Sequence, residues 1–261
     1  MYSASVNGGP VSMMIQHSDL CGPDGKWAVG PSGGKPPVAW RRFEGTMRTI
    51  HLESVDSTNE EAKRRLRAGE LSTHSCIVAR EQTAGRGSRG RKWSSPKDAG
   101  IYLSLVHRVG LDRADVQTVL GLTTLAAGVA CVEALHRVVG IDVRLKPVND
   151  LIAQGRKLGG ILTEAMIENG RPEALIVGVG VNVRIAPRPT LPDALEPVCV
   201  QELVDPVRFG HGDVGELIGE LADRIRGWVD LVLDGDVAAV REAWERYRID
   251  GAAWPLGLGA T

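Results

Sequence analysis

Cysteine is scarce. The 261-residue chain has four, at positions 21, 76, 131 and 199, and none forms a C-x-x-C pair. That argues against a zinc ribbon or disulfide framework and fits buried free thiols in a reducing compartment. Net charge is nearly absent too: the formal value is −1, so no general attraction to nucleic acid is expected. No basic segment leading into an apolar one opens the chain, so no secretory signal is read there. The longest apolar stretch, Val119 to Leu135, is broken by Thr123, Thr124 and Glu133; it reads as a buried helix, not a membrane span. A soluble, cytoplasmic protein is the expectation. Neither a Walker A loop nor a G-x-G-x-x-G turn opening a helix is found, and no internal repeat.

The periodic sequence divides unevenly. Residues 1–45, rich in Gly and Pro, show no sustained period. They read as irregular or disordered and offer no helix-turn-helix. A domain is expected over 46–248, followed by a short tail, 249–261. Strands are expected at 49–54, 74–81 and 100–107, and a helix from the capping residues Asp56-Ser57-Thr58 to a stop at Gly69. A long helix over 111–139 ends at Gly140. Three meandering strands follow, joined by turns at 154–156 and 169–172. An irregular connection spans 186–213, and helices are expected over 214–233 and 237–247. Blocks of hairpin strands separated by helices predict an α+β fold.

The segment Gly85-Arg86-Gly87-Ser88-Arg89-Gly90-Arg91-Lys92-Trp93 packs three glycines, three arginines and a lysine into nine residues. Glycine lets backbone N–H groups approach a ligand, and arginine forks suit carboxylate or phosphate. An RGG-like nucleic-acid segment is the rival, but those are repeated and set in low-complexity sequence. In Ile176 to Asn182, strand parity puts Gly178, Gly180 and Asn182 on one face. That bare face either receives a flat ligand read by Asn182 or lets a helix cross closely; the two readings stand level. Parity also puts Lys157 and Gly159 on one face. Lys146-Pro147-Val148-Asn149-Asp150 gathers a lysine, an amide and a carboxylate suited to polyphosphate and Mg²⁺. Gln82 precedes the loop, placed to bond a polar ligand, and Trp93 reads chiefly as the loop's packing anchor.

Five segments taken together, Asp56 to Asn59, Gln82 to Gly87, Lys146 to Asp150, Lys157 to Leu162 and Gly178 to Asn182, resemble biotin–protein ligase in order and approximate spacing. The resemblance covers roughly 48–247 and is specific through the order of its motifs. It implies a mixed, largely antiparallel sheet backed by helices, like class II aminoacyl-tRNA synthetases. The implied activity is that of a biotin–[acetyl-CoA-carboxylase] ligase. ATP and Mg²⁺ convert biotin to biotinyl-5′-adenylate, which a lysine of a biotin carboxyl carrier domain then attacks. By resemblance, Ser57, Thr58, Asn59, Gln82, Gly85, Arg86, Gly87, Lys157, Gly159 and Gly160 hold biotin. Arg86, Arg89, Arg91, Trp93, Lys146, Asn149, Lys157, Gly178, Gly180 and Asn182 hold ATP. Lys157, Arg86, Arg89, Lys146 and Asp150 act on the reacting groups, and Asp150 meets Mg²⁺. The loop 85–93 is expected to order on ligand binding and so to gain protection from protease.

Three departures from the family pattern stand out. Ser88 replaces an arginine, which predicts faster escape of the adenylate and diffuse labelling of other proteins. Pro147-Val148 replaces packing residues, and Pro147 steers Lys146 from the α region. The chain stops soon after Tyr247, where the family continues into an SH3-like barrel, and no N-terminal DNA-binding domain is read. Specific DNA binding is therefore not expected; a monomer or a homodimer is. Two other readings remain: a lipoate or octanoate ligase or transferase of the same fold, whose acyl chain would need an apolar tunnel, and a non-catalytic biotin-binding module.

Overall fold

The computed structural model describes residues 47–71, 74–109, 116–169, 171–187, 195–205 and 210–256. Residues 1–45, the helix start expected at 111–115, Gly170, much of the 186–213 connection and the tail beyond 256 lie outside the described residues. The elements run β1 (Arg48–Leu52), α1 (Thr58–Arg67), β2 (Ser75–Ala79), β3 (Gly100–Arg108), α2 (Val116–Val139), β4 (Arg144–Lys146), β5 (Asp150–Ala153), β6 (Arg156–Glu168), β7 (Arg171–Asn182), α3 (Val200–Leu203), α4 (His211–Leu233) and α5 (Val237–Tyr247). Three of these differ from the sequence expectation: α3 is a single helical turn inside the connection read as irregular. Residues 146–150 are the tip of a β4–β5 hairpin, with Lys146 paired to Asp150. Three residues of β4 are too few to show a period. Helix α4 begins at His211, one turn earlier than its apolar pattern indicates.

One seven-stranded sheet orders as β1-β2-β3-β7-β6-β5-β4. Only β1 and β2 run parallel; every other pair is antiparallel. The mixed, largely antiparallel α+β layout is what the sequence implied. From β3 the chain crosses through α2 to the far edge and meanders back to the middle. That return puts β7 beside β3, although they are far apart in sequence. The β5–β6 turn is tight because Gln154 (φ 49) and Gly155 (φ 74) both take left-handed backbone, the geometry that matches strand twist.

The two sheet faces are unequal. On one, Val78, Leu103, Leu105, Ile161, Val177, Val179 and Val181 pack with α2, α4 and α5 in the main core. Helix α2 is long and apolar enough to cross a membrane by length and composition, but 67% of its most apolar window is buried inside this fold. Residues past α5 join the same core: the Ile249 amide donates to the Leu145 carbonyl at 3.0 Å, and Trp254 meets Trp244 edge to face at 5.4 Å. On the other face α1 covers only half the sheet, setting Ala62 and Leu66 on Ile77, Val106 and Ile176. Along β7 that face continues from Ile176 to Gly178 and Gly180, opposite Ser104 and Tyr102 of β3. The apolar support stops there and a polar, side-chain-poor surface begins.

Candidate functional site

The first turn of α1 is tied to this surface by a buried polar network. Ser57, Thr58, Asn59, Ser95 and Ser104 are all at least 95% buried. Gln82 Oε1 accepts from the Thr58 amide at 2.9 Å and lies 3.1 Å from its hydroxyl, while Gln82 Nε2 donates to Ser95 Oγ at 2.8 Å. Ser104 Oγ lies 2.8 Å from Thr58 Oγ1 and 2.5 Å from Asn59 Oδ1. Ser104 has one proton and the Asn59 carbonyl oxygen has none, so that proton goes to Asn59. Asn59 Nδ2 donates to the Leu162 carbonyl at 3.2 Å and to Glu164 Oε2 at 2.8 Å.

The capping expectation changes here. Ser57 stands at the N-cap but its side chain makes no cap bond; the acceptor for the helix's first amide comes from Gln82, across 24 residues. Asp56 turns instead to Arg64, at 2.6 and 2.8 Å. That guanidinium holds its carboxyl well below the usual range, at about 2.

The loop 85–93 is a small hairpin with one 3₁₀ turn at Ser88–Gly90. Its strands join through Gly87 N to Arg91 O at 2.7 Å and Trp93 N to Gly85 O at 2.9 Å. A Cβ on Gly85 would collide with the Trp93 carbonyl, so the hairpin closes only on glycine. Two of the loop's cations have partners that no motif marks. Arg86 pairs with Glu60 of α1 and Glu164 of β6, and Arg91 donates to Ser88 O at 3.2 Å and Ser88 Oγ at 2.9 Å. Arg89 is exposed, with left-handed backbone at φ 58. Ser88 Oγ also lies 3.4 Å from Asn149 Nδ2, which donates to the Ile161 carbonyl at 2.9 Å. The β4–β5 tip and the loop therefore meet.

Two side chains, rather than a crossing backbone, sit on the bare strand face. Asn59 covers Gly178, where an added Cβ would stand 2.5 Å from Asn59 Oδ1. Trp93 covers Gly180, where a Cβ would stand 2.5 Å from Nε1, and reaches Gly160, at 3.7 Å from Cζ3. The Trp93 indole N–H is buried with no hydrogen-bond partner among the described residues. Asn182 ends the strand 96% buried, its amide donating to the Val198 carbonyl at 3.1 Å and the Lys157 carbonyl at 3.4 Å. Its donors tie the 195–199 segment to the sheet.

Lys157 does not share a face with Gly159 as simple parity expects. Leu151 pairs with Gly159 and Ile152 with Lys157, so Leu158 is an extra residue, a β-bulge. Leu158 is buried in the main core, and Lys157 is re-aimed to the site side. There its ammonium meets Asp150 Oδ1 at 2.5 Å and lies 5.6 Å from the centre of the Trp93 ring. A Cβ at Gly160 would meet these same two side chains. Gly159 faces Leu151 and the Gly180 carbonyl. Lys146 is half-buried at the hairpin tip. One surface thus runs from Thr58 and Asn59, past Gly178 and Gly180, to Trp93, Lys157 and Asp150.

Comparison with known proteins places this arrangement. The Biotin/lipoate A/B protein ligase family model matches residues 51–182, just over half of the chain. The chain belongs to that family. The biotin–[acetyl-CoA-carboxylase] ligase of Paracoccus denitrificans is 35% identical over 199 residues, 74% of this chain and 78% of that protein. The bifunctional ligase/repressor BirA of Escherichia coli K12 is 39% identical over 132 residues, 51% of this chain and 39% of that protein. The chain's match thus spans about two-fifths of the length of such bifunctional relatives. Among solved structures, biotin protein ligase from Aquifex aeolicus in complex with biotin and ATP superposes with a TM-score of 0.61 at 28% identity, over 77% of this chain and 78% of that one. The Leishmania major biotin protein ligase in complex with biotinyl-5-AMP gives 0.60 at 25%, over 82% and 86%. The mixed sheet with its helices is the fold of this ligase family.

Ser95, Ser104, Glu60, Lys63 and Glu164 are bonded into this same surface. None lies in a recognisable motif. Ser104 and Glu164 share the face of Gly178, but only the β3–β7–β6 pairing, in which Gly178 opposes both Ser104 and Leu162, brings them together.

Proposed function

We propose that the protein activates biotin with ATP and transfers it to a lysine of a biotin carboxyl carrier domain, in a reducing cytoplasm. In the first step a biotin carboxylate oxygen bonds to the α-phosphorus of MgATP and the bond to pyrophosphate breaks. In the second, the carrier amine attacks the acyl carbon, AMP leaves with the C–O electrons, and the amine sheds a proton. Both steps need alignment and charge compensation more than covalent help from the protein.

The observation that carries this reading is the continuity of one surface: a buried hydrogen-bonding network at one end and the Lys157 ammonium at the other. Thr58 and Gln82 are neutral donors and acceptors beside bare backbone, and a ureido ring would enter by exchanging the bonds they now make to each other and to Ser95. Lys157 would face the biotin carboxylate and α-phosphate, lowering the repulsion between two anions. Arg86, Arg89 and Arg91 surround the phosphate side, with Lys146 and Asn149 at the hairpin tip. Trp93, lying on Gly180 and Gly160, would exclude water above the reacting groups and give adenine a stacking partner. Asn182 fixes the strand end beneath it. Among the described residues no cluster of three or more His, Cys, Asp or Glu side chains could hold a metal. A Mg²⁺ arriving on ATP needs only one or two protein carboxylates, and Asp150 is the carboxylate beside Lys157.

The test is incubation of the full chain with biotin, MgATP and a biotin carrier domain, followed by mass measurement of the carrier. One added biotinyl group is expected. An octanoyl group added in a parallel octanoate reaction, with none from biotin, would move the protein to the lipoate branch. Tight biotin binding without pyrophosphate release would make it a binding module.

A further inference from the structure

We propose that Glu164 is the positioning residue of this site: its one carboxylate holds both the loop cation Arg86 and the amide of Asn59, and so sets the loop against the α1 N-terminus. The inference rests on the biotin-ligase reading for its substrate, though not for its geometry. Glu164 lies on β6, two residues past Leu162, on the face of Gly178. Oε2 accepts from Asn59 Nδ2 at 2.8 Å, and Oε1 accepts from Lys63 Nζ and Arg86 Nη2, both at 2.9 Å. Glu60 closes the figure, accepting from Lys63 at 2.9 Å and from Arg86. Two carboxylates and two cations from α1, the loop and β6 therefore neutralise one another. Glu60 shares the cations but has no bond to Asn59 among the described residues, so Glu164 alone joins the ion cluster to the polar network.

That double attachment has a chemical consequence. Asn59 passes its orientation through Ser104 to Thr58, so the carboxylate helps set which lone pairs the pocket presents. Arg86, the first cation of the loop, is held at the sheet by charge. Burial alone would push the Glu164 carboxyl up, but bonds from Lys63 and Asn59 and the nearby Lys63 and Arg86 charges outweigh it and keep its pKa low. A neutral amide of the same shape could still accept from Asn59. It could not hold Arg86 as well: with its one carbonyl oxygen turned to Asn59, its NH2 group would face the Lys63 and Arg86 donors and offer them no acceptor.

The experiment compares full-length wild type, Glu164→Gln, Glu164→Asp and Glu60→Gln by three readouts: melting temperature, trypsin cutting after Arg86, Arg89, Arg91 and Lys92, and the KM for biotin against kcat. For Glu164→Gln we expect a melting temperature close to wild type and loop cutting several-fold faster. KM should rise about tenfold, as expected for a charged bond lost at a binding loop, and kcat should fall by less than KM rises, because Arg86 also serves the reacting groups. Glu164→Asp should restore part of the KM. Wild-type cutting and wild-type KM in Glu164→Gln would overturn the proposal. So would a fall in melting temperature and kcat together at unchanged KM, the mark of a brace with no bearing on the pocket. If Glu164→Gln fails to fold, Glu164→Asp decides: its shorter carboxylate should leave loop cutting faster and KM higher than in wild type, wild-type values of both would overturn the anchor, and Glu60→Gln should change cutting less. Wild-type biotin binding is measured first by calorimetry. Its absence would sink the ligase reading, while the trypsin arm would still decide the Glu164–Arg86 anchor.

Discussion

At single positions the site is defined as much by missing side chains as by present ones. Gly178 has room for no Cβ because Asn59 Oδ1, Cγ and Nδ2 would lie 2.5, 3.0 and 3.1 Å away. Asn59 cannot yield cheaply, since Ser104, the Leu162 carbonyl and Glu164 hold its amide on both ends. Gly178→Ala should therefore cost about 1–3 kcal/mol, the usual range for overpacking, measured by urea denaturation. A loss under about 0.5 kcal/mol would mean that Asn59 swings away freely. Parity was enough to mark the glycine face from sequence. What fills it was not legible, because Asn59 lies more than a hundred residues from Gly178 and Trp93 arrives on a hairpin whose fold depends on its own cross-bonds.

Elements position these residues through devices of different legibility. The start and stop of α1 are visible in its polar N-terminal residues and in Gly69, which takes φ 70. The ion pair across its first turns is a surface feature, with Asp56 and Arg64 side chains 45% and 47% exposed. Its worth is accordingly at most about 1 kcal/mol. Because the folded pKa of Asp56 is depressed to about 2, the pair contributes fully above the ordinary aspartate value and is lost as pH falls towards 2. Asp56→Asn should thus be less stable than wild type at pH 7, by no more than that amount, and the gap should close near pH 2. A gap independent of pH in thermal melts would assign the effect to something other than the carboxylate. The bulge in β6 is the contrasting case. Lys157-Leu158-Gly159 alternates acceptably as a plain strand, and only its pairing with β5 shows that Leu158 is the extra residue re-aiming Lys157.

For the whole molecule, the unequal cladding of the sheet is what creates the site. Three helices cover most of one face, leaving the edge strand β1 exposed, and one short helix covers half of the other. Stability resides on the covered side. Trp244 is fully buried there, its indole N–H has no hydrogen-bond partner among the described residues and it meets Trp254 edge to face, so its role is packing. Trp244→Ala is expected to cost about 3–5 kcal/mol, read from the shift in urea midpoint, while Trp244→Phe should cost much less. Equal losses for both would point to a role beyond volume. With stability supplied from behind, the front surface can carry glycines, buried amides and paired charges.

Composition, turn chemistry and the order of five short motifs were sufficient by themselves to determine an α+β fold, its longer helices, the β5–β6 and β6–β7 hairpins, the ligase resemblance and most of the cations at the site. These are local properties: a left-handed turn residue, a strand's alternation or a loop's charge acts within a few residues of itself. Which strands become neighbours, which side of the sheet Lys157 faces, and which carboxylates meet Arg86 were decided only by tertiary structure. The passage of α2 across the sheet folds β7 against β3, and hydrogen-bond register then joins groups that no periodicity in the chain connects.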